Sequence, residues 1–258
     1  MFDYEIAINY WEVFLLILVR VASFVYTAPF FSLSGVPQRV KIAISFFISI
    51  IIYTLVPERT LEYSTAIEYA IIIMKESIVG LLLGFVCTVC VRVISFAGHI
   101  IDLNMGFSMA NMYDQTLREQ ISVTGNLYYY TVWLLMIISG LYQFLISAIV
   151  DTYSIIPVNS VTVNLTLYDS FLKVIMNYFV IGFRIALPVF IGIMLVNAIL
   201  GILTKVAAQL NMIAIGMQIK VLAGLGILFV TVGLLPVVSD FIMDMMKDAI
   251  RTVAGGLV

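Results

Sequence analysis

Apolar residues run along this chain in long blocks, separated by short breaks that contain proline, glycine or polar side chains. A helix that spans a membrane needs about 20 predominantly apolar residues, whereas the strands of a membrane β-barrel are about ten residues long and alternate in polarity. Blocks of this length therefore predict an all-α fold of long helices. The apolar stretches cover about 13–31, 42–56, 66–101, 121–150, 175–203 and 212–238.

These stretches do not form six regular spans. The second is short for a span, and the third is too long and carries charges. Strict alternation of six spans would also leave equal numbers of basic residues on the two sides of the membrane, so the positive-inside rule assigns no orientation. The basic residues of the connections are Arg39, Lys41, Arg118 and Lys205 on one side and Arg59, Lys173, Lys247 and Arg251 on the other.

Prolines and polar clusters mark where the helices are expected to end. Pro37 and Pro57 bracket the second stretch, and Pro157 opens the longest polar segment, which places the best internal boundary near residue 165. Pro188 lies inside the fifth stretch and predicts a kink, because proline lacks the N–H that its helical turn requires. Helix contacts at close range are predicted at Gly80 and Gly84, which form a G-x-x-x-G spacing.

The composition places the chain in or against a membrane. Hydrophobic residues make up 63% of its 258 residues and charged residues 11%, whereas a soluble domain carries about 25% charged residues. One core of this size cannot bury so much apolar surface. The net charge is −2 and the basic residues are scattered, so nucleic acid is not an expected partner. The acidic N-terminus lacks a signal-peptide pattern, and the mature protein is expected to begin near Met1.

The sequence offers no catalytic constellation. Cys87 and Cys90 form a C-x-x-C spacing inside an uncharged run, where they are interpreted as small apolar helix residues. His99 is the sole histidine of the chain, so no metal site or nucleophile–histidine arrangement is predicted. We expect no enzyme activity, no cofactor and no metal.

Six charges interrupt the apolar stretches, and each would cost about 2.5–3.5 kcal/mol or more at the centre of a bilayer. Two explanations are open. The charges pair within the chain or extend to an interface, or their helix faces meet other subunits or a water-filled path. The six residues are Arg20, Lys75, Glu76, Arg92, Arg184 and Lys220.

A methionine-bearing polar segment, residues 106–120, follows the third stretch. Met105, Met109 and Met112 fall on one face if the segment is helical. Such a stripe is often ordinary core, but methionine is also flexible enough to form a compliant seal. Both interpretations are open from composition alone.

Several motifs together resemble the FliR family of flagellar export-gate subunits and its injectisome counterpart, over nearly the whole chain. The first connection reads Val36-Pro37-Gln38-Arg39-Val40-Lys41, and the central segment runs from Gly98 to Phe107 and is followed by Tyr113-Asp114. Ala207-Ala208 departs from the family, which often has Ala-Pro there. The positions that carry the resemblance are Pro37, Arg39, Lys41, Gly98, Gly201, Gln209, Asn211 and Gly216.

The resemblance implies a helical membrane-associated protein with long kinked helices and helical hairpins. It implies a FliP-like part over 1–165 and a FliQ-like hairpin over 166–258, assembled with FliP and FliQ homologues near FlhB and FlhA homologues. It also implies that the loop of about 106–120 plugs the closed pore. The plug residues would be Met105, Gly106, Phe107, Met109, Met112 and Tyr113.

The expected function is that of a channel component in the bacterial inner membrane, which passes unfolded export substrates during flagellum assembly. An injectisome subunit is one alternative. A secondary transporter for a small solute is another, because midplane charges and broken helices also occur in transporters.

Overall fold

The computed structural model describes residues 2–33, 35–55, 61, 63–107, 122–162, 166–206 and 212–257, with the side chains of 2–9 and 212–214 excepted. These ranges form helices and contain no strand. The helices are α1 (Phe2–Thr27), α2 (Gln38–Leu55), α3 (Ala66–Met105), α4 (Val123–Ile138), α5 (Leu141–Ile155), α6 (Thr166–Val206), α7 (Met212–Thr231) and α8 (Leu235–Gly255), with a 3-10 turn at Val232–Leu234 before α8. The predicted all-α fold is confirmed.

The predicted stretches correspond to these helices, with two differences. The stretch at 121–150 is divided into α4 and α5 by Gly140, which has a φ of 88° that an L-residue rarely adopts. The sixth stretch, 212–238, covers α7, the 3-10 turn and the first residues of α8, which continues to Gly255. The helix α6 is continuous through Pro188.

Within the described residues, five helical stretches are long and apolar enough to cross a membrane, and α4 with α5 gives a sixth if that bent pair is one span. The helices α3 and α6 contain 40 and 41 residues. At 1.5 Å per residue each is about 60 Å long, which is twice the roughly 30 Å of the hydrocarbon core. Neither helix fits upright within the bilayer.

The chain divides into two compact units. The first unit contains residues 1–90, 140–175 and 244–258. Its core lies where α1 packs against α2 and the first part of α3, and the end of the chain packs on the start of α6. Thr162 donates its N–H to the carbonyl oxygen of Leu257, and Ser170 donates to that of Thr252.

The second unit contains residues 91–139 and 176–243. Within it α6 and α7 run antiparallel, since Gly192 meets Ile227 and Leu200 meets Gly216. The ring of Phe96 on α3 packs against α6, where it contacts Gly182 and the ring of Tyr178. These two units are defined by contacts within the chain, and each combines separate segments of the sequence. The predicted boundary near residue 165 separates a FliP-like part from a FliQ-like part, which is a different division, and it stays a prediction.

Candidate functional site

The C-terminal end of α3 is fixed in the second unit by the side chain of Met105. Met105 is fully buried and lies against Gly224 of α7. A methyl group at Gly224 would stand 2.5 Å from Cε and 2.8 Å from Sδ of Met105, so the glycine leaves room for this side chain, which would otherwise have to shift. Met105 is therefore held as a packed residue at the point where α3 ends.

The helix stops at Gly106. Its φ of 90° is readily available only to glycine, and its N–H donates to the carbonyl oxygen of Asp102 at 3.0 Å. Phe107 follows and is half-buried. Met109, Met112 and Tyr113 lie outside the described residues, so their predicted place in a plug stays a prediction.

The chain is described again at Ser122, which lies beside the same turn of α3. The Ser122 hydroxyl donates to Asp102 Oδ2 at 2.7 Å, and the Thr124 N–H donates to Asp102 Oδ1 at 3.2 Å. Ser122 Oγ also accepts from the Gly125 N–H at 2.8 Å, as an N-cap residue does. The Asp102 carboxylate of α3 thus accepts hydrogen bonds from two groups at the start of α4.

A glycine pair brings the two helices together at the same level. A side chain at Gly98 on α3 would overlap the backbone of Gly125 on α4. Gly98 is one of the predicted family positions, and this contact gives it a physical role. The group formed by Gly98, Asp102, Ser122, Thr124 and Gly125 is called the loop base below.

In the first unit, two of the six predicted charges pair with each other. Arg20 and Glu76 are both fully buried, and Arg20 Nε donates to Glu76 Oε2 at 2.5 Å. Arg20 Nη1 donates to the carbonyl oxygen of Ile156 at 2.8 Å, and its guanidinium lies 4.3 Å from the centre of the Tyr153 ring. Glu76 Oε1 accepts from the N–H of Asn159 at 3.1 Å.

The other four predicted charges lie elsewhere. Lys75, Arg92 and Arg184 are exposed on their helices, and Lys220 is half-buried. Within the described ranges, no carboxylate lies within ion-pair distance of any of the four. Their helix faces are available to lipid, water or another chain.

The remaining family positions are spread over the molecule. Pro37 and Arg39 are exposed at the start of α2, Lys41 is half-buried, Gly201 is exposed on α6 and Gly216 is buried on α7. Gln209 and Asn211 lie outside the described part of the chain.

The described residues contain no group of three side chains able to hold a metal ion. Cys87 and Cys90 are buried, unpaired thiols on α3. An open apolar groove between α1 and α2 is lined by aromatic and aliphatic side chains without a carboxylate, histidine or serine. Its lining residues are Tyr10, Trp11, Phe14, Phe46, Ile50 and Tyr53.

Sequence reasoning missed the loop base. Of its five residues, only Gly98 was singled out from the sequence, as a position that carries the family resemblance. The signal was present in two places: Ser122 precedes an apolar run as an N-cap residue does, and glycines lie on both sides of the segment.

Residues 11–246 match the family of bacterial export proteins, family 1. The chain is also similar to proteins named flagellar biosynthetic protein FliR. It is 27% identical to that of Bacillus subtilis, over 95% of each chain, and 25% identical to that of Escherichia coli, over 92% of this chain and 89% of the relative. With that of Borreliella burgdorferi it shares 27% identity, over 92% and 88%.

Proposed function

The chain belongs to the FliR family of bacterial export proteins, and from this we propose that it is a non-enzymatic core component of a protein-export gate in the bacterial inner membrane. Its place in flagellar biosynthesis follows from the family. The finer proposal is that it assembles with FliP and FliQ homologues, close to FlhB and FlhA homologues, and passes unfolded export substrates.

The observation that carries this proposal is the large share of apolar surface on α6 and α7 that the described residues leave exposed. In the most apolar 18 residues of α3, 56% of the residues are buried, but the share is 22% in the most apolar 18 residues of α6 and 17% in those of the stretch Ile215–Gly255. Arg184 is exposed on α6 among apolar neighbours such as Phe183 and Leu187. A charge in such a surface is costly in lipid and suits a contact with another subunit or a water-filled path.

The lengths of α3 and α6 support the same proposal. Each is about twice the thickness of the hydrocarbon core, so a large part of each helix lies outside it or is strongly tilted. A helical assembly that rises out of the membrane plane would accommodate both helices.

We further propose that the segment 106–120 seals the closed pore. Its described start supports this: Met105 is anchored and Gly106 redirects the chain out of α3. Methionine side chains beyond that point would form a compliant seal, which can exclude ions and still move aside for a polypeptide. Met109, Met112 and Tyr113 are the proposed sealing residues.

Shortening residues 108–120, or replacing Met109 and Met112 with glycine, tests the seal. The complex should still assemble, because the anchoring contacts of the described residues remain. Potassium efflux from cells that carry the complex should rise severalfold over the parent. A complex that assembles, exports normally and keeps the membrane tight would reduce this segment to ordinary packing.

A further inference from the structure

One carboxylate, that of Asp102, joins the end of α3 to the start of α4, on either side of residues 108–121. Asp102 is 5% exposed, and it accepts from the hydroxyl of Ser122 and from the N–H of Thr124. Ser122 in turn caps the N–H of Gly125. Twenty residues of sequence separate Asp102 and Ser122, yet their side chains are 2.7 Å apart.

These bonds are costly to separate. Pulling α4 from α3 would leave a buried carboxylate without these donors and the Thr124 N–H at the start of α4 without its acceptor. The negative charge also lies at the N-terminus of α4, where the helix dipole favours it. Gly98 and Gly125 also allow the backbones of α3 and α4 to come into close contact next to these hydrogen bonds.

We infer that the loop base is a fixed joint: Asp102 and Ser122 hold the end of α3 and the start of α4 together in the closed and in the open gate. Asp102 and Ser122 are then positioning residues, which act through the sealing segment. This inference rests on the proposed function. It adds that α3 and α4 do not separate when a substrate passes.

A reversible covalent staple tests the inference. In a background in which Cys87 and Cys90 are replaced by alanine, Asp102→Cys and Ser122→Cys remove the hydrogen bonds and introduce two thiols. A short bis-methanethiosulfonate joins the thiols, and a reducing agent releases them. Potassium efflux and substrate export are measured in cells that carry the full complex, and mass spectrometry confirms the staple.

Without the staple, efflux should rise severalfold over the Cys87→Ala/Cys90→Ala background. With the staple, the membrane should become tight again while export continues at the background rate, and reduction should restore the leak. A tight membrane before stapling would overturn the joint. Loss of export on stapling would overturn it too, because it would show that α3 and α4 must part.

Three further variants keep the result interpretable. Ser122→Thr retains a hydroxyl and should behave as the parent. Asp151→Asn changes an exposed carboxylate on α5 and is the matched control. If the double cysteine chain fails to assemble, Asp102→Asn is tested in its place, because it loses one acceptor oxygen at nearly constant size. A tight membrane in that variant would again overturn the joint.

The shortened segment described above separates the two proposals. If that variant leaks and the unstapled cysteine variant stays tight, the joint is wrong and the seal stands. If neither leaks, the seal itself is wrong and the joint falls with it. A leak from the cysteine variant alone would also overturn the joint, because the base would then act without the segment.

Discussion

The buried pair of Arg20 and Glu76 is the strongest electrostatic feature of the described residues. Both side chains are withdrawn from solvent, and each also binds the backbone after α5, at Ile156 and Asn159. Arg20 Nη2 is buried and has no hydrogen-bond partner among the described atoms. The pair therefore fixes α1, α3 and the connection after α5 to one another, at a desolvation cost that only the intact network offsets.

Removing one partner of this pair should destabilise the first unit strongly. Arg20→Leu or Glu76→Leu leaves the other charge stranded, which typically costs about 3–5 kcal/mol. The double variant should be less damaging than the sum of the single variants. Thermal unfolding of the detergent-solubilised complex measures all three.

Lys75→Leu is the matched control, because Lys75 is the exposed neighbour of Glu76 and has no carboxylate in ion-pair distance among the described residues. It should shift the unfolding midpoint little. Single variants that unfold like the parent would mean that the two charges are hydrated rather than buried.

For single residues, the sequence indicated which charges were unusual but not which groups they pair with. Arg20 and Glu76 were recognisable because they interrupt apolar stretches. Their pairing was not, since 56 residues separate them and Lys75 adjoins Glu76. The role of Asp102 was hidden for a similar reason: it binds the start of α4, 20 residues further along the chain.

Among the elements, α1 and α3 approach each other closely in the first unit. A side chain on Gly80 would overlap Ser23 and the carbonyl of Arg20, and one on Gly84 would overlap Thr27. Thr88 Oγ1 donates to the carbonyl oxygen of Thr27 and continues the contact along α3. The G-x-x-x-G spacing, a weak signal in the sequence, marks a real close approach.

Gly80→Val should prevent this approach and lower the amount of folded chain in the membrane, because a backbone carbonyl cannot yield as a flexible side chain can. The measurement is the yield of protease-resistant protein after membrane extraction. Gly226→Ala on α7 is the control, since nothing lies within 4 Å of the added methyl group. Equal yields for the two variants would contradict a tight α1–α3 contact.

The long apolar stretches of the sequence predicted most of the helices. They did not predict the break between α4 and α5 or the helix α8. Gly140 breaks a charge-free stretch, so hydropathy alone could not divide α4 from α5. The helix α8 was missed because Asp240, Asp244 and Lys247 made its sequence look polar. In the structure these side chains are exposed while Ile242, Met246 and Ile250 are buried, as in an amphipathic helix.

For the molecule as a whole, α6 and α7 carry cations without described partners on largely exposed apolar helices. Arg184→Leu and Lys220→Leu should assemble poorly if those cations meet carboxylates or polar groups of partner subunits, because the partner group would be left stranded. Recovery of partner subunits with an affinity-tagged chain measures this.

Lys247→Leu is the control for these variants. Its pair with Asp244 is solvent-exposed, and such a pair contributes about 0–1 kcal/mol. Normal assembly and export in both the Arg184 and the Lys220 variant would mean that these cations merely extend to a membrane interface.

The central proposal is that the chain is one part of a larger gate. The decisive measurement is the native mass of the solubilised chain, expressed alone and together with FliP and FliQ homologues from the same genome. Alone, the chain should aggregate or be degraded, because α6 and α7 expose apolar surface with cations that have no ion-pair partner among the described residues. With its partners it should be recovered in one complex of defined mass. A stable, monodisperse monomer that binds neither partner would contradict the account.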